Sequence, residues 1–368
     1  MAEQLKDLTV LVALRRLGLN HVRCIATKRK GNLWKDITSL DNILAAHECA
    51  KKGKLKRPAV RKVDENIQRY AADLQDLLLS RSYRTSQYRF FEITERGKTR
   101  EIADLPYYPD RIAQWALMRV VEPIFLNNLI YTTYAALPGR GTHRALNRLH
   151  RWMKEDIDGT QYCLKLDIKK FFPSIDKAVL KNRFRKIIKD KDALWLLDEI
   201  VDSYPKPGIP IGNYTSQYFG NFYLSQHDHW LKEDLQVKYY MRYMDDMILL
   251  SDSKEQLREW FCMINDYLTN NLHLTIKENW QIFPVDIRGI DFVGYRSFRD
   301  YTLVRKQTKK NYQDKVGILV KRLESGGEFT ESDRSMLASY KGILQHGDCY
   351  RLQKKVTAPI VRTLDDFQ

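Results

Sequence analysis

The sequence predicts an α+β fold, and three observations carry that expectation. Strand-like and helix-like segments are interleaved without the regular beat of a doubly wound sheet. Paired strand patterns recur around tight turns, as in "YRFFEITERGKTREIADLPY" (88–107) and "KYYMRYMDDMILLS" (238–251). With 43% apolar and 29% charged residues over 368 positions, the chain can bury a real core and is neither disordered nor fibrous.

Taken in order, "MAEQLKDLTVLVALRRLGL" has a short apolar run that Asp7 precedes and no small-residue cleavage site follows, so a helix is expected rather than a signal peptide. Residues 26–62 hold eleven Lys/Arg against three Asp/Glu. Inside them a helix is expected over Leu40 to Lys52, with Ser39 as N-cap and Gly53 just past its end. Trp34 and the lysines around Gly53 suit a nucleic-acid contact; a solvated helix face is the plainer reading. Residues 64–80 read as a second helix, and 88–107 as two strands around Glu95-Arg96-Gly97. A helix from Asp110 to Asn127 follows, then the loop "YAALPGRGTHRAL" leading into another helix.

"QYCLKLDIKKFF" (161–172) reads as an apolar strand, after which Pro173-Ser174 opens a helix with Leu180, Phe184, Ile187 and Ile188 on one stripe. "YPKPGIPIGN" (204–213) is a Pro/Gly loop before a long helix carrying Phe219, Phe222, Tyr223 and Trp230. The stretch 238–251 forms a hairpin, "GIDFVGYRSF" (289–298) a shorter one, and a Lys/Arg-rich helical tail runs from Arg305.

A formal charge of +16 favours polyanionic partners, nucleic acid above all. No lipidation motif, basic amphipathic anchor or bilayer-spanning apolar run argues for a membrane. Cys24, Cys49, Cys163, Cys262 and Cys349 are scattered, without CxxC or zinc spacing, which fits reduced thiols and a cytoplasmic location.

The chemistry concentrates at Asp245 and Asp246. Adjacent carboxylates between apolar strands repel each other in a low dielectric unless a cation offsets them. Carboxylate oxygens completed by water and phosphate are what Mg²⁺ prefers. Asp167, at the end of "CLKL", can supply a second carboxylate from another strand; taken singly, each site also reads as an ordinary turn.

Together these segments resemble a reverse transcriptase. Tyr243-Met244-Asp245-Asp246 matches the family's Y-x-D-D box, and "LKLDIKKFFPSID" (164–176) matches the strand bearing its first metal-binding Asp. "REIADLPYYPDRIAQWAL" and "LPGRGTHRAL" resemble the fingers blocks of bacterial and group II intron enzymes, and "FVGY" resembles the primer-grip hairpin. The match runs in family order from about Asn32 to Tyr350.

The resemblance implies a right-hand polymerase: a basic N-terminal extension (1–62), fingers (63–160), a palm with an antiparallel sheet flanked by helices, together with part of the fingers (161–300), and a short helical thumb (301–368). It implies that Asp167 and Asp245 ligate two Mg²⁺ ions, or Mn²⁺, with the Ile168 carbonyl contributing and Asp246 in support. A primer 3′-hydroxyl then attacks the α-phosphate of a dNTP and pyrophosphate leaves. Phe172 occupies the steric-gate position, where a ring collides with a 2′-hydroxyl; it also reads as a core Phe. Lys98 and Arg100 resemble the pair that clamps the triphosphate. Lys277 in "LTIKENW" reads either as the acid for pyrophosphate or as a surface lysine. Gly294 and Tyr295 belong to the primer grip.

One departure narrows the resemblance. Where most relatives have Q-G followed by S-P, this chain has Ile211-Gly212 and then Ser216-Gln217. This form is similar to the enzymes of diversity-generating retroelements, which copy a template-repeat RNA with frequent errors at adenines. Those enzymes work on template RNA and a primer–cDNA duplex with a small basic accessory protein that forms a pentamer. The basic tail (Arg305, Lys306, Lys309, Lys310, Lys315, Lys321 and Arg322) suits a thumb tracking a duplex backbone, with no room for an RNase H domain. The rival readings are an antiphage-defence or other group II intron-like enzyme and a non-catalytic RNA-binding protein.

Overall fold

The computed structural model describes residues 28–95 and 97–365, in two units that interleave along the chain. The helix expected at the N-terminus lies outside the described residues. The first unit draws on the described residues up to Ala136, on Asp167–Lys238 and on Cys262–Glu278. The second draws on Leu137–Leu166, Tyr239–Phe261 and the described residues from Asn279 onward.

In the first unit Ser39 accepts from the Asn42 amide and starts a helix that runs Leu40–Lys51, as its cap residue demands. Helices Pro58–Asp64 and Ile67–Leu79 follow where one was expected, the first opening on Pro58, whose missing amide costs nothing there. Strands β1 (Arg89–Glu95) and β2 (Lys98–Asp104) pair antiparallel, Glu95 opposite Lys98 and Arg89 opposite Asp104. Helix Ile112–Leu126 buries Ile112, Ala113, Ala116, Leu117 and Met118 in the core, and a two-residue strand, β3 (Thr133–Tyr134), lies beyond it.

Helix Lys177–Ile187 starts on Asp176, whose carboxylate accepts from the Ala178 and Val179 amides at 2.8 and 3.0 Å. It buries Leu180, Phe184 and Ile187. Phe184 packs against Phe125, Phe219 and Phe222 with centroids 5.8, 5.0 and 6.0 Å away. The helix expected to reach Trp230 ends instead at Tyr223, with Ser225–His229 and a wide turn over Trp230–Asp234 following. Helices Lys191–Asp202 and Lys254–Leu272 were not anticipated.

The second unit contains β4 (Tyr162–Asp167, its last residue counted with the first unit), β5 (Tyr239–Tyr243), β6 (Asp246–Ser251) and β7 (Gln281–Pro284). These are sheet neighbours in the order β5-β6-β4-β7, and the pairs β5/β6 and β4/β7 are antiparallel. The expected strand over 161–172 therefore stops at Asp167. Lys170 takes a left-handed φ of +47°, and Phe171–Ser174 is one helical turn in which Pro173 is tolerated.

The 289–298 hairpin, β8 (Ile290–Phe292) with β9 (Tyr295–Ser297), gains a third antiparallel strand, β10 (Thr302–Val304). The tail forms helices Lys306–Glu324, Glu331–Leu344 and Tyr350–Asp365, whose apolar stripes (Tyr312, Val316, Leu319, Leu323, Leu344, Ile360) share a core with Leu146 and Tyr295. Antiparallel sheets flanked by helices make the molecule α+β. No helix among the described residues is long and apolar enough to cross a membrane.

Truncating Phe184 to Ala opens a hole among three aromatic neighbours. It should cost about 3–5 kcal/mol, read as a lower urea midpoint at unchanged slope.

Candidate active site

Strand β4 delivers Asp167, and the segment after it is pinned by backbone bonds: Lys277 N–H donates to the Asp167 carbonyl (2.8 Å) and Lys169 N–H to the Thr275 carbonyl (2.8 Å). Ile168 bridges Ile276 and is buried. The same pairing brings the Lys277 ammonium to 2.5 Å from Asp167 Oδ2, so this lysine sits on the carboxylate and not on open surface. The other oxygen, Asp167 Oδ1, is buried with no hydrogen-bond partner. A carboxylate oxygen in that condition is costly unless something positive or a donor meets it. An unmet carboxylate oxygen of this kind fits a divalent cation.

In the second unit the hairpin β5/β6 closes between Tyr243 and Asp246, leaving Met244 and Asp245 as the two turn residues. Met244 takes φ +56°, a left-handed value that a non-glycine residue adopts at a cost of order 1–3 kcal/mol. What holds the turn is Arg242: its side chain is fully buried and its guanidinium donates to the Met244 carbonyl at 2.8 Å. Tyr243 flanks the turn, its hydroxyl 3.2 Å from Thr142 Oγ1 and its ring edge-on to Phe292. Asp245 and Asp246 are both half-buried.

The first unit also holds a cavity of about 280 Å³ that gathers Phe172, Ile211, Gly212 and Gln217 from the sequence reading. Lys54, Arg111, Trp115 and Tyr214 also line it. The Ile211–Gly212 wall is fastened to β2, where Ala103 N–H donates to the Ile211 carbonyl at 2.9 Å, and to Arg111 beyond that strand, which donates to the Gly212 carbonyl at 2.7 Å. Gly212 has φ +133°, and a Cβ there would stand 2.4 Å from the Ala103 carbonyl oxygen, so only glycine fits. Trp115 and Tyr214 stack at 3.9 Å, and burial pushes the Tyr214 hydroxyl up from its ordinary value. Burial, with Arg111 and Arg57 nearby, pulls the Lys54 ammonium down. A site with these cations and aromatic faces suits an anionic ligand bearing a planar base.

The remaining expected residues do not line that cavity. Lys98 opens β2 as the backbone partner of Glu95, and Arg100 is exposed opposite Ile93 and does not line the cavity. In the second unit Gly294 takes φ +97°, with open space where a Cβ would stand, and its carbonyl accepts from Arg305 N–H. Tyr295 is buried, its hydroxyl donating to the Ile343 carbonyl at 2.9 Å. The sequence reading missed Arg242, Arg111, Trp115 and Tyr214. Each lies inside a quoted stretch (Arg111 and Trp115 in "REIADLPYYPDRIAQWAL", Tyr214 in "IGNYTSQ", Arg242 in "KYYMRYMDDMILLS"), but nothing in those stretches singled the residue out.

A family described as reverse transcriptase (RNA-dependent DNA polymerase) matches residues 93–296, more than half of the chain. The chain belongs to the reverse transcriptase family. Among curated proteins it is similar to protein YkfC of Escherichia coli (strain K12), 26% identical over 248 residues that cover 64% of this chain and 58% of that protein. It is also similar to nuclear intron maturase 1, mitochondrial, of Arabidopsis thaliana, 26% identical over 105 residues covering 28% of this chain and 14% of that one. The chain thus spans less than two thirds of either relative. Among solved structures, telomerase of Candida albicans in complex with a TWJ fragment of telomeric RNA aligns at 12% identity and a TM-score of 0.46, covering 77% of this chain and 58% of that one. Reverse transcriptase domains generally use divalent metal ions.

If Lys277 competes with a cation for Asp167, Lys277→Met should tighten Mn²⁺ binding by about two- to fivefold, the range an ion pair this exposed supports. Titration of free Mn²⁺ by electron paramagnetic resonance reads this directly, and unchanged affinity would rule the competition out.

Proposed function

We propose that this protein is an RNA-directed DNA polymerase of the diversity-generating retroelement type, copying a template-repeat RNA into cDNA with frequent errors at adenines. One observation carries the polymerase reading: within the family-matched segment, the strand ending on Asp167 and the strand beginning on Asp246 are neighbours in one sheet. Asp167 and Asp245, with the Ile168 carbonyl, would hold two divalent ions, Mg²⁺ or Mn²⁺, and Asp246 would support them. Bound there, the ions would lower the pKa of the primer hydroxyl and neutralise charge on the departing pyrophosphate.

The chain's own residues have separable tasks in this reading. Phe172 excludes the 2′-hydroxyl of a ribonucleotide, and the Ile211–Gly212 wall lies against the nascent base pair. Gln217 borders the same space. Lys98 and Arg100 meet the triphosphate from the hairpin of β1 and β2. Lys277, 2.5 Å from Asp167, would be the donor that hands a proton to pyrophosphate. Gly294 and its neighbours carry the primer backbone. Residues 1–62 form the basic extension, 63–160 the fingers, 161–300 the palm and 301–368 the thumb. The basic tail follows the template–cDNA duplex, and a small basic accessory pentamer joins the cytoplasmic complex.

The retroelement reading rests on "IGNYTSQ", where an apolar Ile211 faces the cavity in place of an amide. An apolar wall offers the base pair shape but no hydrogen bond, so discrimination between pairs weakens.

Asp245→Ala should lower primer extension at least about a hundredfold on an RNA template; activity unaffected by that change would sink the two-metal assignment. Ile211→Gln should reduce misincorporation opposite adenine relative to wild type, and equal fidelity in the two would remove the retroelement argument.

A further inference from the structure

Phe172 needs a reference surface. A filter that distinguishes a hydroxyl from a hydrogen works only if its ring is held to a fraction of an ångström. Phe172 sits on a single helical turn, entered through the left-handed Lys170, and is itself only half-buried. Its neighbour Phe171 is buried and anchors the turn from the core side. Within the turn the Phe172 ring meets the Phe171 ring, centroids 5.3 Å apart and tilted by 53°, a contact that leaves the path of the Phe172 backbone to be set from outside so short a helix.

The loop 204–213 supplies the missing support through its backbone. Ile209 N–H donates to the Phe172 carbonyl at 3.0 Å. Gly208, at φ +79°, lies flat on the Phe172–Pro173 peptide: a Cβ there would stand 2.3 Å from the Phe172 carbonyl oxygen and 2.5 Å from the Pro173 carbonyl carbon and Cα. The loop is fastened on either side of this contact. Lys177 donates to the Tyr204 carbonyl at 2.5 Å, and Ala103 and Arg111 hold the Ile211 and Gly212 carbonyls. One continuous piece of backbone thus touches the Phe172 peptide at residues 208–209 and forms the facing cavity wall at 210–212.

We infer that Gly208 and the Ile209 amide are positioning elements for sugar selection, setting where Phe172 stands relative to the wall that Ile211 and Gly212 make. The inference rests on the reading of Phe172 as the sugar filter. Gly208 touches no substrate; it acts through the peptide of Phe172. A side chain at 208 pushes that peptide away, and Ile209→Pro aims a ring carbon at the oxygen the amide now binds.

The test is single-nucleotide incorporation on poly(rC)/oligo(dG), comparing kcat/KM for dGTP and for GTP. Gly208→Ala and Ile209→Pro should each lower the dGTP preference about tenfold, mainly through better use of GTP. Phe172→Ala should abolish most of the preference, and Gly208→Ala should lower it no further in that background. Equal losses on dGTP and GTP, or an unchanged preference, overturn the inference. So does failure of both loop variants to give a cooperative thermal melt, since the turn is then a folding requirement only. An undiminished preference in Phe172→Ala, with the loop intact, instead removes the sugar-filter reading of Phe172 itself, and the inference with it.

Discussion

Two backbone carbonyls, those of Phe172 and Ala103, each occupy the space where a Cβ would have to stand, and the cavity depends on both close approaches. Gly208 and Gly212 are the residues that permit them, each at a φ that favours glycine. The two contacts press one loop between the turn that carries Phe172 and the strand β2. Hydrogen bonds from Ile209 and Ala103 to the same region keep it there. The cavity is thus built from main chain first, and its side chains are mounted on a frame that packing alone would leave free to slide.

Electrostatics sets the other constraint. A carboxylate at the end of a buried strand is unfavourable without compensation, and a strained turn needs a tether; each unit supplies one of these. In the first, Lys277 lies on Asp167, brought there by a backbone pairing that does not depend on charge. In the second, the buried Arg242 reaches the carbonyl of the strained Met244 and holds the turn that presents Asp245. Compensation is partial in the first case, because one Asp167 oxygen stays buried and unmet.

Much of this was legible in the sequence, and for a local reason. The Asp-bearing strand, the Tyr-Met-Asp-Asp hairpin and the Ile-Gly loop are each contiguous, so their residue order records their geometry. What joins distant segments was not legible. Lys277 lies 110 positions from Asp167, and Arg111 lies 101 from Gly212. No spacing rule connects such pairs. Arg242 was hidden by its own charge, since an arginine in a strand reads as solvent-facing until a carbonyl is found for it. The over-long strand at 161–172 failed because Lys170 turns left-handed without a glycine to mark it. Helix Lys191–Asp202 did carry a mark, the N-cap Asp190, whose carboxylate accepts from the Asp192 and Ala193 amides.

The way the loop is fastened bears on how such a site can change over generations. Its path is fixed by glycines and carbonyls, which tolerate almost no substitution, while the side chain at 211 rides on that path without helping to define it. A lineage can therefore exchange an amide for an aliphatic group at this one position and keep the backbone where it was. The chemistry of the cavity wall can then change by a single codon, uncoupled from the backbone architecture that holds the wall in place.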